Sequence, residues 1–434
     1  MKPMKYLASM FALTMGLLCI VPQAQAVPAF ARQMGVACNT CHFQHFPLLN
    51  AFGRAFKASG FTMTGTPLIE SDHFSLPANL NAAIFTNIRY QKSSGSKGTD
   101  NNSNNGEWII PGETSLFVGG RVSPHVGALI EGDVGAGGLN GGGFLASIKV
   151  PIFYPVTNTI HAGVVPFSAG LGPAYAFETM NTGAVGNHLI NLVTPTAISA
   201  LQYVQVGADS ASDGSSEGIA AVAVSSDFFV NIAKWSPNHS PVDAFGPSAS
   251  PTSDYVRVAY TPQIGKWDVG MGMQYFGGRS HVVDGTTNPS MKTRAWAVDA
   301  QLQGHITSTM PLGVYFGYAQ APGSTAGDNL YNVGAKTKKS ASIAAELGAF
   351  DSGRGTVQLA YRWGETGNAT YSGDDATTLG LTYLPWNNVQ LALYQTFYSG
   401  NAHSKAALAA GFDPMIDASG SGDSLTSVNL AVGF

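Results

Sequence analysis

From about residue 79 to Phe434 the chain alternates in hydropathy with period two, and this pattern limits its fold more than any other feature. Trp267, Val269, Met271, Met273 and Tyr275 interleave with Asp268, Gly270, Gly272 and Gln274. Val357, Leu359, Tyr361 and Trp363 interleave with Gln358, Ala360, Arg362 and Gly364, and Trp296, Val298 and Leu302 with Asp299, Gln301 and Gln303. Successive side chains of a strand point to opposite faces, so each segment has one apolar and one small or polar face. Only 11% of the 434 residues are charged, yet no run after residue 30 is a convincing transmembrane helix. Low charge without long apolar runs fits a barrel that meets lipid at every second position. The expected fold is mainly β, a transmembrane antiparallel β-barrel over residues 79–434.

Roughly 355 barrel residues at about 22 per strand and connection give about 16 strands. The connections are of two kinds. Tyr260 to Trp267 and Tyr383 to Val389 are tight links, whereas 93–106, 236–253 and 277–291 are long polar loops. Long loops are expected outside the cell and short turns in the periplasm. Val428, Leu430, Val432 and Phe434 share one face of a last strand, against Ser427, Asn429, Ala431 and Gly433. A soluble β-sandwich is the alternative, but it would be unusually large and carry little charge on its outside.

Residues 27–78 read differently. Cys38-Asn39-Thr40-Cys41-His42 has the form C-x-x-C-H, the attachment site of a c-type haem. Two thiols three positions apart can bond to the two vinyl groups of one haem, and the following imidazole can ligate its iron. A redox disulfide and a zinc site are the competing readings. The first wants a βαβ context, and the second wants two more Cys or His at suitable spacing. Phe43, Phe46, Leu48, Leu49, Phe52, Phe56 and Phe61 follow, near helical spacing, with Pro47 to start or interrupt a helix and Gly60 to end one. These residues read equally as a minimal core and as walls for a porphyrin. The expectation is a small α-helical c-type cytochrome unit carrying one haem c and plugging the lumen.

Residues 1–26 have the pattern of a signal peptide. Lys2 and Lys5 precede an apolar stretch, and Ala24-Gln25-Ala26 is a cleavage signal before Val27. Cys19 falls in this segment, which leaves only the motif cysteines in the exported chain. Export agrees with haem attachment, which takes place outside the bacterial cytoplasm. The net charge of -4 gives no sign of nucleic-acid binding.

The run from Cys38 through Lys57, followed by Gly60, together with the porin-like remainder ending in Phe434, resembles the outer-membrane monohaem cytochrome–porin fusions of iron-oxidising bacteria. The resemblance implies covalent haem at Cys38 and Cys41 and iron ligation by His42. It implies electron transfer from extracellular Fe(II) to a periplasmic cytochrome c or similar carrier, with Fe(II) oxidase activity, in a barrel held by outer-membrane lipid. No barrel residue carries over.

For the sixth iron ligand, Met63 is the first candidate because it follows the expected helices, with Met34, His73 and His45 as alternatives. His45 lies three residues after His42, on the same face if that segment is helical. Arg54 and Lys57 are candidate partners for the haem propionates, or a solvated helix face. Glu131, Asp133, Asp268 and Asp299 are expected in the lumen, where they either guide Fe(II) or form an ordinary polar lining. Asp374 and Asp375 in a loop have the same two readings. No catalytic acid–base pair or nucleophile is evident. The rival functions are a haem-plugged porin passing small solutes, a conduit for a donor other than iron, and a peroxidase using an open iron position.

Overall fold

The computed structural model describes residues 28–71, 74–94, 106–134, 144–180, 199–206, 215–238, 250–282, 287–412 and 422–434. The expected signal segment, Cys19 and His73 lie outside these residues.

The period-two segments form one closed antiparallel barrel. Its strands are β1 (Ala82–Ser93), β2 (Glu107–Ser123), β3 (Val126–Asp133), β4 (Leu145–Lys149 and Ile152–Pro155), β5 (His161–Ala169), β6 (Ser216–Val224), β7 (Phe228–Ser236) and β8 (Ser253–Tyr260 and Gln263–Ile264). Then follow β9 (Trp267–Gly277), β10 (Ala295–Thr307), β11 (Met310–Ala321), β12 (Lys338–Phe350), β13 (Gly355–Thr366), β14 (Asp375–Trp386), β15 (Val389–Ser399) and β16 (Ser424–Gly433). β4 and β8 are each interrupted once, so the wall has sixteen strands, the number expected. The ring closes where β16 pairs with β1, from Leu425 opposite Ser93 to Gly433 opposite Phe85. Closure gives every strand two hydrogen-bonded neighbours, the condition for a sheet inside hydrocarbon.

The alternation sorts the faces as expected. Asp268, Gln274, Gln358, Arg362, Asp299 and Gln301 are buried inside, whereas Met271, Met273, Tyr275, Leu359 and Trp363 are exposed on the outer wall. Tyr154, Tyr260, Phe350 and Trp386 stand outward at one rim, and Trp108, Trp296, Trp363 and Phe397 at the other. An apolar belt between two aromatic girdles is the surface of a protein surrounded by lipid. Leaving it in water would forgo about 1.5–3 kcal/mol for each large apolar side chain. The chain is therefore a barrel of the bacterial outer membrane. No helix among the described residues is long and apolar enough to cross a membrane.

Short turns join β2 to β3, β4 to β5, β6 to β7, β8 to β9, β10 to β11, β12 to β13 and β14 to β15, all at one end. The longer connections gather at the other end. Part of one of them turns inward between β5 and β6. Its short helix Ala200–Val204 is buried against the inner wall, where the Ala200 N–H meets Ser342 Oγ at 2.8 Å. The residues before it place Glu178 beside Arg257, whose guanidinium donates to Glu178 Oε2 at 3.0 Å and to Asp299 Oδ2 at 2.5 Å.

Ahead of the barrel come α1 (Pro28–Met34), a 3-10 turn at Cys38–Thr40 and α2 (Ala51–Ala58). Asn50 caps α2, its side chain accepting from the Gly53 N–H at 3.0 Å. The helix stops at Ala58, two residues before Gly60, which takes φ +69°. A hairpin of Leu68–Ser71 and Phe74–Pro77 leads into β1.

Candidate functional site

Cys38, Cys41 and His42 line one cavity of about 250 Å³. The 3-10 turn brings them together: the Cys41 and His42 N–H groups both donate to Cys38 O, at 3.1 and 3.0 Å. The N-terminus of α2 seats this turn, because the Asn50 N–H donates to Cys41 O at 3.0 Å. A Cβ at Gly53 would fall 2.2 Å from the same carbonyl oxygen, so only glycine admits this approach of helix to motif.

His42 Nδ1 lies 3.1 Å from Leu48 O. With its proton on Nδ1 donated to that carbonyl, the ring leaves Nε2 as the ligating nitrogen. Burial pulls the imidazole down to about 4, so it is neutral, the form that binds metals. Burial, and then the neighbouring Cys38, push the Cys41 thiol up to about 11.

The rest of the cavity comes from two sources. The N-terminal residues contribute Phe30, Leu49, Phe56, Lys57 and Phe61, and the barrel contributes Phe117, Leu129 and Lys149. Phe30 packs at 5.0 Å on Phe61 and at 5.1 Å on Phe56, centroid to centroid. The lining thus holds two thiols, one imidazole, two ammonium groups, apolar walls and no carboxylate. That set complements a flat apolar dianion with a central metal. Among the described residues, no three His, Cys, Asp or Glu converge on a bare ion. A porphyrin asks for no such convergence, since its thioether links form at the ring edge rather than at iron.

The N-terminal residues are tied to the inner wall. His45 Nε2 sits 2.9 Å from Glu346 Oε2, and Gln44 Nε2 donates to Glu346 O at 3.0 Å. Arg54 Nη2 donates to Asp268 Oδ1 at 2.7 Å. Arg121 in β2 donates through Nη1 to Thr62 O at 2.9 Å, and its N–H meets Gln33 Oε1 at 3.0 Å. A Cβ at Gly127 would lie 1.8 Å from Gly60 O, so the wall is thinned there to admit the chain. Asp268, Glu346, Arg121 and Gly127 all lie near the short-turn ends of their strands, which puts the cavity toward that mouth.

Several expectations come out differently. The segment around His45 is not helical, so His42 and His45 do not share a helix face; His45 turns outward to Glu346. Neither His45, Met34 nor Met63 lines the cavity. Met63 serves through its backbone, its carbonyl accepting from Gln33 Nε2 at 2.6 Å. Of the propionate candidates, Lys57 lines the cavity, whereas Arg54 is turned to Asp268 and to a second cavity of about 350 Å³ beside the 225–227 and 261–263 turns. Phe43 and Phe46 leave the cavity too, packing on His305 and Phe85 of the wall. Asp268, Asp299 and Asp374 are each paired with an arginine, and Glu131 accepts from Ser147 Oγ at 3.0 Å.

Sequence reading missed the barrel's share of the lining. Parity alone puts Phe117, Leu129 and Lys149 inward, and a lysine facing a sparsely charged lumen was the available signal.

No family model matches the chain, and no curated protein matches it. Among solved structures it is similar to outer-membrane OmpT of Vibrio cholerae, at 11% identity and a TM-score of 0.48, over 85% of this chain and 100% of that one. It is similar also to OprB of Pseudomonas putida, at 10% identity and a TM-score of 0.49, over 81% and 93%. OmpF of Salmonella typhi aligns at 11% identity and a TM-score of 0.47, over 85% and 100%.

Proposed function

We propose that this porin-like outer-membrane barrel is an electron conduit, with one haem c attached through Cys38 and Cys41 and ligated by His42. The observation that carries the reading is the composition of a single cavity. Two thiols, a neutral imidazole oriented by Leu48 O, aromatic walls and two lysines meet there with no acid among them. When bound, haem c supplies one-electron exchange at its iron.

The residues present do the rest. Cys38 and Cys41 hold the ring, Phe30, Phe56, Phe61, Phe117 and Leu129 exclude water from its faces, and the ties to Glu346 and Asp268 fix the unit as a plug in the short-turn mouth. A site near that mouth suits delivery to a periplasmic cytochrome or similar carrier. The donor on the far side is extracellular Fe(II). Taking only the electron inward keeps poorly soluble Fe(III) outside the cell. Asp268, Asp299 and Asp374 are each held by an arginine rather than left free to collect Fe(II).

A second reading has its own support. The sixteen-strand wall, its polar inner face and the cavity of about 350 Å³ beside Arg54 suit a channel for small solutes. The two are separated by stopped-flow mixing of Fe(II) with the full-length protein in liposomes, with ion conductance read on the same preparation. A conduit shows haem reduction and little conductance. A haem that stays oxidised in a freely conducting barrel favours the channel.

A further inference from the structure

The loop-side rim of the barrel is unevenly charged. Around the outer ends of β9 to β13 stand Arg279, Lys292, Arg294, Lys336 and Lys339, five cations against the two carboxylates Asp328 and Glu365. The other strand ends of this rim carry Glu107, Asp133, Glu217, Asp254, Asp375 and Asp423, with Lys92 and Lys234. A chain of net charge -4 thus gathers its rim cations in one sector. Backbone and side-chain contacts hold that sector together. Arg279 Nη2 and Lys292 Nζ close on Asp328 at 2.5 and 2.9 Å. The Asn329 amide donates to Arg294 O at 3.0 Å and to Pro322 O at 2.9 Å, which seats the connection between β11 and β12 on the residue that precedes β10. The Lys336 N–H donates to Gly367 O at 3.0 Å, just past the end of β13. The aromatic girdle fixes the height of these groups. Tyr275, Trp296, Gln320 and Lys339 are register partners across β9 to β12 and share the outer face. Lys339 meets Glu365 there at 3.0 Å. Arg294 is exposed two residues before Trp296, about 7 Å farther out along the strand direction.

We propose that this sector of the rim binds the phosphate groups of an anionic glycolipid in the outer leaflet. Place and charge together identify the occupant. The aromatic girdle marks the depth at which acyl chains give way to headgroups, and the cations lie at that level and above it, where a lipid phosphate lies. A basic cluster beside a membrane-spanning segment attracts anionic headgroups, each Lys or Arg contributing about fivefold in affinity. Arg294 and Lys339 meet the lipid from the outer face of the wall. The Arg279–Asp328–Lys292 triad, which keeps a net positive charge, and Lys336 add to the field from the connections above. The inference is independent of the haem reading, since none of these residues touches the N-terminal unit or its cavity.

The test uses the full-length protein in detergent, freed of co-purified lipid and titrated with bisphosphorylated lipid A. EDTA is present so that no divalent ion bridges phosphate to carboxylate, and native mass spectrometry reads the bound lipid. The wild type is expected to bind this lipid roughly tenfold more tightly than the same lipid with its phosphates removed, and to lose the preference in high salt. Inorganic phosphate in the same concentration range is expected not to compete. Full competition would reveal a site for free anions and overturn the lipid assignment. Arg294→Gln/Lys339→Gln is expected to weaken binding on the order of tenfold, with heat-modifiable mobility unchanged. Arg294→Lys/Lys339→Arg, which keeps both charges, is expected to keep the affinity. Lys92→Gln removes an exposed cation of β1 on the same rim but outside the sector, and is expected to bind as the wild type does. Equal affinity for phosphorylated and dephosphorylated lipid would overturn the proposal. So would a doubly neutralised variant that binds like the wild type, or a loss at Lys92 as large as that at Arg294 and Lys339.

Discussion

His45 Nε2 and Glu346 Oε2 lie 2.9 Å apart with both side chains fully buried, across 301 residues of sequence. Thr356 Oγ1 donates to the other carboxylate oxygen at 2.6 Å, so Glu346 is satisfied on both sides. The pair joins the N-terminal unit to β12. Breaking it from one side leaves a charge buried without its partner, which costs about 3–5 kcal/mol. His45→Leu is therefore expected to lower the unfolding free energy in urea by about 3 kcal/mol and to expose the 41–50 segment to protease. The double variant His45→Leu/Glu346→Met is expected to recover much of the loss. A single variant as stable as wild type would show that the pair does not anchor the unit.

The same pair sets a pH dependence. Burial works against a charged His45, and the Glu346 carboxylate outweighs it, so the pKa of His45 is raised. A group with a raised folded pKa contributes its full stability below its unfolded value of about 6.5 and loses it as pH rises through the folded value. Protease protection of the N-terminal unit is expected to be greater at mildly acidic than at alkaline pH, and His45→Leu is expected to flatten the difference. Protection that grows with pH in the wild type would contradict this sign.

Gly127 tests the seat of the unit independently of charge. Its ideal Cβ would stand 1.8 Å from Gly60 O, a backbone atom that cannot swing aside. Gly127→Val is expected to displace the chain around Gly60 while the barrel survives. Heat-modifiable mobility on gels would then stay as in wild type, while cleavage near residues 57–63 increases. Unchanged cleavage would mean that the wall and the unit can separate without cost.

The outer face makes a separate prediction. Leu359 is 58% exposed in the middle of β13, and its neighbour Gln358 is buried in the lumen. Leu359→Arg is expected to destabilise the folded barrel in lipid by about 2–4 kcal/mol, the cost of a charge near the bilayer midplane. Gln358→Ala is expected to change it far less. Equal effects at the two positions would argue against lipid on the outer wall.

The residues that were legible beforehand are those whose fate is decided locally. Trp267 to Tyr275 and Val357 to Trp363 sort onto two faces because pleat geometry needs only the next residue, and closure then follows from the repetition of that pattern. That Cys38, Cys41 and His42 meet at one place was legible for the same reason, the motif lying within five consecutive residues. Arg54 was not: its partner Asp268 is 214 residues away, and nothing near Arg54 announces it. His45 was placed on the face of His42 only if that segment were helical, whereas the chain bends there to reach the wall at Glu346. Met63 was proposed for its sulfur, whereas the fold uses its carbonyl as an acceptor for the buried Gln33 amide. Lys149 went unread, because its place in the cavity depends on which surface closes over it.

The covalent state of the motif is the most direct measurement. The protein would be extracted from outer membranes, digested, and the Cys38–Cys41 peptide weighed. One porphyrin bound through both thiols, lost in Cys38→Ala/Cys41→Ala without loss of the barrel, is the expected result. A peptide with free thiols or a Cys38–Cys41 disulfide, and no porphyrin mass, would contradict it and leave a barrel whose N-terminal residues serve another purpose.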